Sequence, residues 1–135
     1  MNAVFTGRSR PHEVMIIVWS VAVGVIHFTT DPPPNSLDAA YPTWMTGAWY
    51  LLLGAGGLAG GVGLLLRNII VSLYLERASM IAIAAGAAIY ALAAFYVGGW
   101  RAFLAGGLIA CWSAACAWRA GQITLDLRRV SKAGP

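Results

Sequence analysis

The chain has 135 residues, of which 59% are hydrophobic and only 10% charged, with a mean hydropathy of +0.71. A soluble domain carries about 45–50% apolar and about 25% charged residues, so the composition excludes a soluble enzyme and points to lipid as the main solvent. The formal charge of +4 is then first of all a topology signal.

About 20 apolar helical residues are needed to cross a bilayer core, and four runs meet or approach that length. The first spans residues 14–30, entered through Arg8, Arg10 and Pro11, the proline suiting a first helical turn. Basic residues before a short apolar stretch resemble a signal peptide, but no small-residue cleavage pattern follows, so a retained helix is expected. Met15 offers an alternative start that would remove Arg8, Arg10 and Glu13. Pro32, Pro33 and Pro34 cannot continue a helix, and residues 31–43 read as a polar outer loop with Thr43 as the cap of the next helix.

The second span covers residues 44–66 and stops at Arg67 and Asn68. The apolar run that follows is too long for one crossing and is interrupted by Glu76 and Arg77, which suggests an interfacial helix over 69–77 and a span over 78–99. A single helix carrying both charges into the membrane would cost several kcal/mol unless they were well satisfied. Gly98-Gly99 predicts a tight turn, the fourth span covers 102–118, and 119–135 reads as a short cytoplasmic tail. Eight of the nine basic residues fall on the side of the two termini and only Arg101 on the other. The positive-inside rule therefore predicts an all-α, polytopic membrane protein with four transmembrane helices in one membrane domain, N-in and C-in.

The second span is unusually rich in glycine. Gly47, Gly54, Gly57 and Gly61 share one helical stripe, and Gly56, Gly60 and Gly63 share a neighbouring one. With Ala82 and Gly86 in the third span and Gly107 in the fourth, they offer small-residue faces for close packing, within the bundle, between copies of the chain, or both. Cys111 and Cys116 lie roughly 140° apart on a helix and cannot pair with each other; both read as small packing residues.

Chemical motifs mostly fail. His12-Glu13 opens like a zinc-protease motif, but Ile16 stands where the second histidine belongs. Gly54-Ala55-Gly56-Gly57-Leu58-Ala59 fits a dinucleotide fingerprint formally, with Glu76 about twenty residues on, yet no strand or βαβ context surrounds it. His27 reads as an interfacial hydrogen-bonding residue. No triad, carboxylate pair or metal cluster is legible, so neither catalysis nor a cofactor is expected. Glu76 and Arg77, about 100° apart on a helix, are expected as solvated interfacial charge, with a partner for Glu76 from Arg67 or another helix. Arg128, Arg129 and Lys132 put basic charge beside the lipid of the cytoplasmic leaflet, and so few charges make nucleic acid an improbable partner.

Two segments carry a resemblance. Leu73-Tyr74-Leu75-Glu76-Arg77-Ala78, followed by an alanine-rich span, and Cys116-Ala117-Trp118-Arg119-Ala120-Gly121-Gln122-Ile123 with its basic end resemble the small four-helix membrane proteins of actinobacteriophages, some of which lie with lysis genes and are called holin-like. The similarity covers the last two thirds of the chain; the departures are that many holins have one to three spans and that the triple-proline loop is not something the group requires. The resemblance implies an inner-membrane protein that forms homo-oligomers and permeabilises the host membrane. A non-enzymatic accessory subunit or exclusion factor of a membrane complex, or a small transporter, fits the same architecture.

Overall fold

A computed structural model describes residues 11–30 and 34–132, without the side chains at 130 and 132. The described residues are almost entirely helical, with no strand: α1 (Pro11–Thr30), a short α2 (Asn35–Ala40), α3 (Thr43–Leu65), α4 (Ile69–Gly98) and α5 (Phe103–Lys132), the last two joined by a 3-10 turn at Gly99–Ala102. Three stretches are long and apolar enough to cross a membrane: Pro11–Thr30, Thr43–Leu65, and Ile69–Arg129, which folds back on itself as α4 and α5. Arg8, Arg10, Asp31, Pro32 and Pro33 lie outside the described residues.

The long helices pack in the order α1 on α3, α3 on α4 and α4 on α5, with side chains of α1 and α5 also meeting, while α2 lies across α4. Each neighbour runs antiparallel to the last, and the two glycine stripes of α3 explain the row. Gly54 and Gly57 face α1: a methyl group at Gly57 would meet Val21 Cγ2 at 2.7 Å, and one at Gly24 would meet the Gly54 backbone at 2.5 Å. Gly56 and Gly63 face α4, where a methyl at Gly56 would lie 2.9 Å from the Ala82 side chain. Gly60 sits between Ile17 of α1 and Ser79 of α4, and Gly86 of α4 receives Leu53. Most of the glycines expected to serve packing or self-association are therefore spent inside one chain. Gly47 and Gly107 have open space before them, and Gly61 is nearly open, its added methyl 3.9 Å from Ile17.

Four sequence expectations change. The interfacial helix over 69–77 is not a separate element, because Asn68 caps the helix by accepting from Ile70 N and Val71 N at 3.1 and 3.3 Å and no break follows before Gly98. The segment from 119 is not a separate element, since α5 runs through it without a break to Lys132. At about 1.5 Å per residue, α4 and α5 are each about 45 Å long, well beyond an apolar bilayer core of about 30 Å. The outer loop contains α2, whose Leu37 is buried against the bundle and whose end is held by Tyr41 Oη donating to Ile89 O at 3.4 Å. Thr43 is the first helical residue of α3 and makes no side-chain cap. The turn at Gly98-Gly99 is as expected: Gly99 has φ +51°, a conformation that side chains oppose.

Candidate functional site

At the end of the bundle where α1 begins, three ionisable residues from three helices meet. Glu13 starts a buried stripe on α1 with Ile17, Ser20 and Gly24, and Glu76 shares a buried stripe on α4 with Ser72, Ser79 and Ile83. Arg119 of α5 lies between Cys116 and Ile123, both fully buried. Its Nε is 2.8 Å from Glu13 Oε1 and its Nη2 3.4 Å from Glu13 Oε2, a two-pronged contact, while the same Nη2 is 2.9 Å from Glu76 Oε1. Both carboxylate side chains are 2% exposed and the guanidinium side chain 17%. The planar fork of arginine suits such a double engagement. His12, 63% exposed, approaches Glu13 Oε1 at 3.9 Å from outside.

This cluster corrects two expectations. Glu76 is not a solvated interfacial charge, because α5 brings Arg119 against it; Arg77, its chain neighbour, points elsewhere and is half-buried. A carboxylate pair does exist, formed by two glutamates 63 positions apart in sequence and joined through one arginine. The cluster ties α1 to α5, two helices with no extensive backbone contact of their own. Breaking such a buried pair leaves an uncompensated charge in a poor solvent, which makes it a strong latch.

Further along the bundle, toward α2, the four long helices line a half-open cavity of about 430 Å³. Trp49 is a fixed part of its wall: its indole N–H donates to Gly86 O at 2.9 Å and its ring stacks on Tyr90, centroids 5.7 Å apart. His27, half-buried, packs its ring against Trp49 and Tyr50 at 5.7 and 6.0 Å, so an aromatic cluster surrounds the residue expected as an interfacial hydrogen-bonder. Comparison with protein-family models, curated proteins and solved structures returns no match.

The remaining expected residues stand apart from both features. Cys111 is exposed and Cys116 buried, so only the second is a core packing residue. Arg128 and Arg129 are exposed, Arg129 pairing with Asp126 at 3.4 Å, and the Lys132 side chain lies outside the described residues. Among the described residues no three His, Cys, Asp or Glu side chains are placed to hold a metal.

Arg119 was missed because it was counted with the tail. A signal was present: Trp112, Cys116, Arg119 and Ile123 follow one another at spacings of four, three and four, as do Glu13, Ile17, Ser20 and Gly24. A charge in register with a buried helical stripe is placed to meet an internal partner.

Proposed function

We propose that the chain is a four-span, non-enzymatic protein of the inner (cytoplasmic) membrane, with both termini in the cytoplasm, and that it assembles with copies of itself to permeabilise the host membrane during phage lysis, as holin-like proteins do. The spans are α1, α3, α4 and α5. The basic-residue bias supports the orientation, since Arg67, Arg77 and Arg119 belong to the end where α1 begins and Arg101 to the opposite hairpin turn.

The observation that carries the reading is the outward side of α5. This helix makes its extensive packing contact with α4, and Gly107, Cys111 and Ala114 share its face opposite the buried Cys116. Cys111 and Ala114 are exposed, and Gly107 has open space before it. In lipid, these small residues let another helix approach closely between the exposed Leu104 and Trp118, which bound the patch on the same face. A row with two unlike edges favours head-to-tail contacts, which build rings or open chains rather than closed pairs.

Inducible expression in a bacterial host, with culture density and membrane potential followed over time, tests this. Abrupt depolarisation after a delay is expected, and Gly107→Leu or Ala114→Leu should postpone or abolish it without preventing insertion. Steady growth with full insertion would overturn the reading and favour an accessory subunit. A second reading, a small transporter, draws support from the burial of Glu13 and Glu76 inside the bundle, because transport sites in membranes use acidic residues at depth. Resistance to toxic cations that is lost in Glu13→Gln and Glu76→Gln would favour it, and unchanged resistance would remove it.

A further inference from the structure

The cavity draws one aromatic side chain from each of the four long helices: Trp19 from α1, Trp49 from α3, Tyr90 from α4 and Trp112 from α5. Nothing in the spacing of these residues along the chain brings them together; the antiparallel row does. The volume of about 430 Å³ falls within the range of roughly 300–1,000 Å³ usual for small-molecule sites. No Lys, Arg, Asp or Glu lines it, His27 being its one imidazole, and Arg119, at the other end of the bundle, is already engaged by two carboxylates.

We propose that this cavity binds a lipophilic organic cation, recognised by aromatic faces rather than by a carboxylate. Aromatic faces carry negative partial charge and attract cations with diffuse charge, most strongly in desolvated surroundings. Pro34 stands at the cavity wall and its carbonyl accepts from the backbone N–H of Leu37 and Asp38, which sets the exposed Asp38 one turn away. The α4–α5 turn at this end of the bundle carries the exposed Arg101, so the preference for a cation rests on the aromatic lining and not on the charge of the approach. An anion of the same size would meet the same apolar volume with the opposite electrostatics. The site rests on one copy of the chain and is independent of permeabilisation.

The test uses the purified full chain in micelles of a neutral detergent, titrated with tetraphenylphosphonium and, separately, with tetraphenylborate, which matches it in size and shape and carries the opposite charge. Tryptophan fluorescence and calorimetry read the binding. Saturable binding of tetraphenylphosphonium is expected, about tenfold or more tighter than that of tetraphenylborate, a difference of about 1.4 kcal/mol. Trp19 is 59% exposed, so Trp19→Leu should leave the fold intact and weaken binding, while Trp19→Phe keeps a ring face and should restore most of it. Trp118→Leu, which removes an exposed ring remote from the cavity, should change nothing. Equal binding of the two ions, no saturable binding, or binding indifferent to Trp19→Leu would each overturn the proposal. Circular dichroism of every variant separates a lost site from a lost fold.

Discussion

The two outer joints of the helix row are built differently. Between α1 and α3 the backbones touch: Gly24 lies on Gly54, and Val21 and Ile17 fill the spaces before Gly57 and Gly60. Between α4 and α5 side chains intervene, with Phe95 against Gly106, Ser113 Oγ donating to Ala84 O at 2.7 Å, and the Cys116 and Ile123 side chains fully buried. The first joint depends on the absence of side chains and the second on their fit. A membrane provides no hydrophobic drive between helices, so each joint must supply close contact by one of these means. The first joint also has a remote support, because Arg119 reaches from α5 to hold Glu13 of α1.

The largest effect should come from that support. Arg119→Leu removes one cation from between two buried carboxylates, and a loss of about 3–5 kcal/mol is expected, read as earlier unfolding in detergent. Equal stability of Arg119→Leu and the parent would show that α1 is held by the glycine contact alone. Gly24→Leu comes next. It forces the backbones of α1 and α3 apart, at an expected cost of about 1–3 kcal/mol from overpacking, whereas Gly47→Leu meets open space and should leave thermal unfolding unchanged. Tolerance of Gly24→Leu would mean that the two joints are alike after all. The smallest effect should be Ser113→Ala, a loss of about 0.6 kcal/mol, the mean for an interhelical side-chain bond in a membrane, since the α4–α5 joint is spread over many packed side chains.

Cysteine chemistry sharpens the contrast between inner and outer faces of α5. A membrane-permeant bifunctional maleimide should join copies of the chain through the exposed Cys111 and not through the buried Cys116. Loss of the cross-linked species on gels in Cys111→Ser, and its persistence in Cys116→Ser, is the expected pattern if copies meet along that face.

Much of the helical content was legible. Long apolar runs, the prolines after Asp31, the Arg67-Asn68 stop and Gly98-Gly99 bounded the long helices closely, because these signals act on the local backbone. The glycine stripes were legible as small faces open to close approach. Their use was not, since a smooth face packs equally well on its own chain or on another copy. The charged residues were misread for a different reason. Glu76 was placed at a solvated interface with a partner from Arg67 or another helix; the partner is on another helix, but Arg119, 43 positions later, had been counted with the tail, so the burial of the pair was not foreseen.

The sequence by itself therefore determined that the chain is helical, that its helices suit lipid, and where most of them begin and end, since hydropathy and helix punctuation are written over short distances. Tertiary structure alone decided the order of the row, the spending of the α3 glycines on α1 and α4, the meeting of Glu13, Glu76 and Arg119, and the gathering of four aromatic rings around one cavity. Those outcomes depend on which faces of distant helices touch. That choice is made by the fit of the whole bundle, because lipid satisfies any apolar face and leaves packing and buried polar contacts to discriminate.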